Sequence, residues 1–233
     1  MLYLGSLNLK NMSGILSSSI ARKVAMALSA LFLIIFLLIH LSVNLTSLFS
    51  EDAFNKASHF MGTNSLIQYV MQPILIFGVV FHFVMGFILE LKNREARNVK
   101  YFKNNGAANA TWMSRNMIYS GSAILAFLVL HFVDFWIPEI NHKYIEVLPE
   151  NPTRYFVELQ HKFSEPWRVG AYVIAFVLLA LHLLHGFQSA FQSIGFNNRY
   201  TKCVKTLGKI YAIVIPLGFI TVALYNYFSQ LNH

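Results

Sequence analysis

Five long apolar segments determine what this chain can fold into. Each is long enough for a helix to cross a hydrocarbon core of about 30 Å, which takes roughly 20 residues. Charged residues make up only 12% of the chain, about half the share in an ordinary soluble domain. We therefore expect an all-α integral membrane bundle, a single domain over residues 1–233 with five transmembrane helices. The predicted spans cover residues 24–49, 66–91, 116–137, 168–191 and 207–229.

The basic residues predict how these spans are oriented. Lys and Arg in short loops stay on the cytoplasmic side of a membrane. Most of the 18 Lys and Arg residues precede the first span, join the second to the third, or join the fourth to the fifth. Most acidic residues lie in the two opposite loops. The N-terminus is therefore expected in the cytoplasm and the C-terminus outside, and we call the two membrane halves inner and outer accordingly.

Charge and cysteine content exclude several classes of protein. The net charge of +8 arises mainly from the inner loops, so it indicates membrane orientation and an acidic partner or lipid surface rather than nucleic acid. Cys203 is the only cysteine, which excludes an internal disulfide and a Cys-ligated iron–sulfur cluster within the chain. The sequence also lacks a dinucleotide-binding fingerprint.

Each of the first four spans carries a histidine inside its apolar run, the fourth span carries a second one at His185, and the fifth span has none. His40 and His131 come late in outward-going helices, so both are expected in the outer half of the membrane. His82 and His182 come late in inward-going helices, so both are expected in the inner half. A lone intramembrane histidine more often bonds a neighbouring helix. Two pairs at two depths favour metal ligation instead, because an unpartnered imidazole in hydrocarbon is costly.

The two pairs predict bis-histidine ligation of two haem groups. A b-type haem needs two axial donors that face each other across an apolar macrocycle. Gly86 and Gly186 each lie four residues after a histidine of the inner pair, on the same helix face, where a flat porphyrin could approach. Close helix packing is the alternative explanation for both glycines. The spans hold almost no thiolates or carboxylates for zinc or di-iron centres. By spacing alone, His185 could replace His182 as a ligand.

Several short motifs together indicate a known family. They are HLSVN at 40–44, DAFNKASHFM at 52–61, FHFVMG at 81–86, LHFVDF at 130–135 and HLLHGFQSAFQSIG at 182–195. In this order and spacing they resemble the cytochrome b membrane-anchor subunit of succinate dehydrogenase and fumarate reductase, in its five-helix, single-chain, two-haem form. The resemblance covers essentially all five spans.

The resemblance implies a ligand set and an enzyme complex. It pairs His40 with His131 on the outer haem iron and His82 with His182 on the inner one, leaving His185 as a hydrogen-bonding neighbour. A flavoprotein with FAD and an iron–sulfur subunit, both on the cytoplasmic side, would perform the succinate and fumarate chemistry. This chain would carry electrons to or from a quinone, menaquinone in the two-haem form. The implied location is the inner membrane of a bacterium, in its respiratory chain.

Basic residues at the inner side are candidates to meet haem propionates or the iron–sulfur subunit. The nearest to the predicted spans are Arg22, Lys23, Arg94 and Arg115. Membrane orientation alone explains most of these charges.

The first outer loop supplies the candidates for a quinone site, which are Asp52, Asn55, His59 and Asn64. A histidine can change charge near neutral pH, so His59 could exchange protons with a quinone. The alternative is a surface histidine that only caps the loop. Asp134, near the outer end of the third span, is expected to hold its carboxylate in water at the interface, with proton relay as the alternative.

Packing expectations complete the predicted fold. Four spans are expected to cradle the two haems, with the fifth packing outside them. The outer loop 138–166 is expected to form a short amphipathic helix over the outer haem. Pro73 and Pro216 lie inside spans, where neighbouring helices can accommodate the kink that a proline introduces.

Two other functions remain open from the sequence. One is the haem-b subunit of another membrane oxidoreductase, of the hydrogenase or formate dehydrogenase type, which also uses intramembrane histidine pairs. The other is a non-haem, proton-coupled membrane transporter or anchor whose histidines relay protons or bond helices. A transporter of that kind predicts inverted repeats and helices broken near the midplane, and neither is clear in this sequence.

Overall fold

The computed structural model of the chain describes residues 18–95, 117–196 and 198–231, and all regular structure in these ranges is helical. Within them, five helices are long and apolar enough to cross a membrane: Ser19–Leu48, Ile67–Glu95, Met117–Ile145, Pro166–Ser193 and Thr201–Leu231. We call them spans 1 to 5. The predicted all-α fold with five helices long and apolar enough to cross a membrane is thus confirmed. Arg115 and the predicted start of the third span at residue 116 lie outside the described residues.

Each of the first two spans combines an α-helix with one turn of another helix type, a tighter 3-10 turn in span 1 and a wider π-helical turn in span 2. Span 1 is an α-helix over Ser19–Leu45 that ends in a 3-10 turn at Thr46–Leu48. Span 2 begins with a π-helical turn at Ile67–Met71 and continues as an α-helix over Gln72–Glu95. Pro73 comes two residues after the last residue of the π-helical turn, where the wider turn accommodates its missing N–H.

Span 3 extends beyond its predicted end at residue 137. After an α-helix over Met117–His131, π-helical turns at Phe132–Trp136 and Asn141–Ile145 flank the short helix Ile137–Ile140. Pro138 lies in the first turn of that short helix, where its missing N–H costs little. Part of the predicted loop is therefore helical. This helical extension places polar side chains at the outer end of the bundle.

Span 5 lies against the outside of the group formed by spans 1 to 4, as expected, and it also contributes buried side chains to the core. It packs mainly against span 4 and also against span 1. Two glycines allow this approach: a Cβ on Gly208 would lie 2.7 Å from Phe187, and one on Gly218 would lie 2.8 Å from span 1. The ring centre of Phe219 lies 5.6 Å from that of His40. Span 5 therefore forms part of the wall beside the outer histidines.

Two shorter helices cover the outer end of the bundle. Glu51–Thr63 lies between spans 1 and 2, and Arg154–Lys162 lies between spans 3 and 4. The side-chain oxygen of Asn55 accepts a hydrogen bond of 2.8 Å from the backbone N–H of Phe156, which joins the two helices. The short helix expected within the long outer loop is present as Arg154–Lys162.

The first outer helix has the sequence signals of a helix start. Ser50 has an extended backbone, and its hydroxyl accepts a hydrogen bond of 3.2 Å from the backbone N–H of Ala53. Glu51 and Asp52 lie in the first turn, where negative charge is favourable beside the positive end of the helix dipole. The chain therefore turns sharply after span 1 without leaving these backbone groups unpaired.

The contact of Gly208 with Phe187 gives a test of the span 4–span 5 interface. Gly208→Ala places a methyl group closer to the ring of Phe187 than van der Waals contact allows. We therefore expect a loss of about 1–3 kcal/mol of unfolding free energy. Gly170→Ala is the matched control, because nothing lies within 4 Å of its added Cβ. Thermal unfolding in detergent measures both. Equal midpoints for the two variants would contradict the packing described.

Candidate functional site

The outer pair of histidines meets between spans 1 and 3. The ring centres of His40 and His131 are 5.8 Å apart and their planes are inclined by 82°. Aromatic side chains surround the pair: Phe36 stacks on His40 at 5.3 Å, and Phe127 stacks on His131 at 5.9 Å. The depth-based prediction that these two histidines come together is confirmed, and their surroundings are apolar and aromatic.

The inner pair meets between spans 2 and 4. The ring centres of His82 and His182 are 6.3 Å apart and their planes are inclined by 70°. The ring opposite His82 belongs to His182, three residues before the half-buried His185. The structure thus brings together all four predicted histidines, two by two, and places the two pairs on alternating helices.

Both separations fit two donors on one metal ion. A metal–nitrogen bond of about 2 Å on each side, with roughly 1 Å from each nitrogen to its ring centre, places the two centres about 6 Å apart. The described parts of the chain contain no cluster of three or more His, Cys, Asp or Glu side chains able to hold a metal ion. A haem needs only the two axial donors, because the macrocycle supplies the other four. The donor set therefore fits haem iron better than a bare ion.

Three glycines border the inner pair without packing tightly against another helix. A Cβ on Gly86 would have its nearest neighbour 3.6 Å away, at the methyl group of Met26. A Cβ on Gly186 or on Gly121 would have its nearest neighbouring heavy atom 3.8 Å away. These distances are ordinary contacts, unlike the 2.7 Å at Gly208. Close helix packing is therefore not the reason for Gly86 and Gly186, and Gly121 is a third such position that the sequence analysis missed.

Two serines contact the inner histidines and were also missed. Ser29 Oγ lies 3.1 Å from His82 Nδ1, and Ser120 Oγ lies 3.3 Å from His182 Nδ1. Each serine comes from a span that carries an outer histidine, so every one of the first four spans contributes to the surroundings of the inner pair.

A buried carboxylate lies beside the outer pair. Asp134 is only 2% exposed, so the expectation that its carboxylate lies in water is wrong. Tyr172 donates a hydrogen bond of 3.0 Å to Asp134 Oδ2, and Arg168 Nε lies 3.2 Å from Oδ1. The ring of Tyr172 also lies 6.3 Å from that of His131. Arg168, at the start of span 4, compensates the charge and so allows the carboxylate to be buried.

Three of the four residues predicted for a quinone site have structural partners instead. Asp52 forms an exposed ion pair of 2.7 Å with Lys56. Asn64 Oδ1 accepts hydrogen bonds from the backbone N–H groups at the start of span 2. Asn55 is buried and joins the two outer helices. His59 is the remaining candidate, and it lines a cavity.

This cavity, of about 280 Å³, lies at the outer side between the two outer helices and the ends of spans 2 and 3. Among the described residues, His59 Nδ1 and His142 Nε2 are buried without a hydrogen-bond partner, and both side chains line the cavity. Tyr144 OH donates a hydrogen bond of 2.8 Å to Gln68 Oε1 on the same wall. His142 was not predicted, because its segment was expected to be a loop.

Charged side chains form the wall of the cavity near the second outer helix. Glu139 lies 2.5 Å from Lys143 Nζ and also pairs with Arg154. Lys143 and Arg154 both line the cavity. Although burial alone would lower it, the pKa of Arg154 is raised by hydrogen bonds and charge from Glu139 and Glu158. Burial, together with the charge of Glu139, also raises the pKa of Tyr155. At neutral pH the phenol of Tyr155 therefore keeps its proton and can donate it in a hydrogen bond.

Comparison with known protein families, with curated proteins and with solved structures finds no match to this chain. Its function must therefore be argued from its own residues. The fold and the site define a five-span helical membrane protein with two histidine pairs at two depths and a polar cavity at the outer end.

The buried ion pair at Asp134 gives the second test. Asp134→Ala leaves Arg168 buried without its charge partner, so we expect a loss of about 3–5 kcal/mol of unfolding free energy. The control is Asp52→Ala, which removes an ion pair whose side chains are 72–77% exposed and should cost less than about 1 kcal/mol. Thermal unfolding in detergent compares the two. If Asp134→Ala lost no more unfolding free energy than Asp52→Ala, the ion pair between Asp134 and Arg168 would not be buried as described.

Proposed function

We propose that this chain is the di-haem cytochrome b membrane anchor of a succinate:quinone oxidoreductase in a bacterial inner membrane. One observation carries the proposal: two histidine pairs, each with ring centres about 6 Å apart, lie at two depths of a five-span helical bundle. The sequence motifs and their order resemble that family of subunits, and this resemblance is the reason for proposing this particular complex.

Four histidines would hold the two haems. His40 and His131 would hold the outer haem, and His82 and His182 would hold the inner one. A bound b-type haem supplies a one-electron couple at its iron. The protein supplies the donors and the apolar, aromatic surroundings of the outer pair. Gly86, described above, leaves room beside the inner pair.

The inner side of the bundle is the proposed docking side for the iron–sulfur subunit, which in turn carries the flavoprotein with FAD. Arg22 and Lys23 lie near the inner end of span 1 and Arg94 lies at the inner end of span 2. Arg94 forms an exposed ion pair of 2.8 Å with Glu90. Such positive charge suits an acidic protein surface. The active site for succinate and fumarate belongs to those partner subunits.

The outer cavity is the proposed quinone site, with menaquinone as the substrate. A quinone head group is a flat ring with two carbonyl oxygens, so it needs a compact cavity and hydrogen-bond donors. The cavity of about 280 Å³ offers both, through His59, His142 and Tyr155. It lies on the same outer half as the pair His40 and His131. Reduction of a quinone takes up protons, and the imidazole of His59, which lines the cavity, is the proposed proton donor.

A haem count tests the proposal directly. The full chain, purified in detergent, should contain two b haems, measured by pyridine haemochrome and by a dithionite-reduced minus oxidised spectrum. His82→Ala should lose one haem, because it removes an axial donor of the inner pair. His185→Ala, in which only the neighbouring histidine changes, should keep both. Absence of haem from the wild-type chain, or two haems in His82→Ala, would overturn the assignment.

The quinone site has a separate test in the assembled complex. His59→Leu should lower kcat/KM for the quinone about 100-fold, the usual contribution of one positioned acid or base. Haem content should not change, because His59 lines the outer cavity, and none of the four paired histidines is among the residues that line it. Asp52→Asn is the control on the same outer helix and should retain activity, since the carboxylate of Asp52 is exposed and pairs with Lys56. Equal kinetics for both variants would place the quinone elsewhere.

A further inference from the structure

The inner histidines share a feature that the metal-ligand proposal does not use. On each of them, the ring nitrogen Nδ1 lies within hydrogen-bond distance of a serine hydroxyl from a neighbouring span. The distances are 3.1 Å from Ser29 to His82 and 3.3 Å from Ser120 to His182. The two contacts are nearly symmetric, although they come from different pairs of helices.

The direction of these hydrogen bonds follows from what else the serines bind. Ser29 Oγ donates to the carbonyl of Met26 at 2.8 Å, and Ser120 Oγ donates to the carbonyl of Met117 at 3.0 Å. A hydroxyl has only one hydrogen. Because each serine uses that hydrogen on a carbonyl, its oxygen can only accept from the imidazole. The hydrogen of the neutral ring therefore sits on Nδ1, and the lone pair sits on Nε2.

The sequence carries this arrangement twice. Ser29 precedes His40 by eleven residues, and Ser120 precedes His131 by the same number. Eleven residues are close to three helical turns, so each serine lies on the same face as the histidine of its span, about 16 Å away along the axis. Spans 1 and 3 thus each present an outer histidine and, one layer further in, a serine for an inner histidine.

We propose that Ser29 and Ser120 are positioning residues that fix the tautomer and the ring orientation of His82 and His182, so that both Nε2 lone pairs are available to the inner haem iron. The inference rests on the proposed haem function. Hydrogen bonds of this kind orient metal-binding histidines and increase their basicity. The haem ligands are those of the proposed function, and this inference adds the two serine hydroxyls.

One histidine of the outer pair differs from the inner pair in this respect. His131 Nδ1 is buried and has no hydrogen-bond partner among the described residues. A histidine that donates from Nδ1 gives more electron density to the iron, which stabilises the ferric state and lowers the reduction potential. The two serines therefore hold the potential of the inner haem below the value that it would have without them, and they do not act on the outer haem.

The test uses the full-length chain with its haems. Ser29→Ala and Ser120→Ala remove one hydroxyl each, and potentiometric titration with EPR of the ferric haems follows both centres. The haem that is lost in His82→Ala is the inner one. We expect its midpoint potential to rise and its EPR g-values to change in each alanine variant, while the outer haem is unchanged. Ser29→Thr should restore the wild-type values, because a threonine hydroxyl can make the same backbone hydrogen bond.

Ser42→Ala is the matched control. Ser42 lies on span 1 and donates to the carbonyl of Leu38 at 2.8 Å, as Ser29 does to Met26, but it is exposed. Both potentials should therefore stay unchanged in this variant. A shift as large as that of Ser29→Ala would show that the loss of any helix hydroxyl suffices, and it would overturn the inference.

The remaining outcomes separate this inference from the haem proposal. Two haems in the wild-type chain, with unchanged potentials and EPR spectra in both alanine variants, would overturn the role of the serines and leave the haem proposal standing. A wild-type chain without haem would overturn both. If Ser29→Ala loses the inner haem, Ser29→Thr must restore it, and failure to do so would count against the positioning role.

Discussion

The cost of a buried imidazole in hydrocarbon is the constraint on which this structure depends. A membrane interior offers no water to satisfy a ring nitrogen, and this chain places His40, His82, His131 and His182 there. The structure brings them together as two pairs, with ring centres 5.8 and 6.3 Å apart. It gives the inner pair two serine partners as well. The register of the first four spans is therefore set by where polar groups must meet.

The sequence predicts those features that depend on periodicity and depth alone. Five spans follow from apolar length, and the pairing of the histidines follows from alternating helix direction and a constant rise per residue. The close packing of span 5 could not be derived in this way. It has no histidine, and its approach to the other spans depends on Gly208 and Gly218 meeting particular side chains of those spans. Such contacts exist only once the helices are assembled.

The polar partners were harder to predict than the histidines. A serine in a membrane helix can satisfy its hydroxyl on its own helix, so nothing in its immediate sequence indicates a second partner. The repeated spacing of Ser29 to His40 and of Ser120 to His131 was the signal that could have found them. Asp134 was misplaced for a similar reason: its partner Arg168 is distant in sequence, and an acid at a span end is usually solvated. His142 was missed because span 3 was ended too early.

The two layers also have an energetic consequence for the proposed function. The serine-to-histidine spacing places them about 16 Å apart along the helix axis, roughly half of the hydrocarbon thickness. Moving one charge across the whole membrane involves about 2.3 kcal/mol per 100 mV, so an electron passing between the layers would experience about half of that. A tenfold change in a one-electron equilibrium is about 59 mV. A hydrogen bond that changed the equilibrium of the proposed inner haem tenfold would therefore match the effect that a membrane potential of about 100 mV has between the two layers. In the proposed function, an asymmetry between a hydrogen-bonded inner pair and an outer histidine without such a bond would help to set the direction in which electrons cross the bundle.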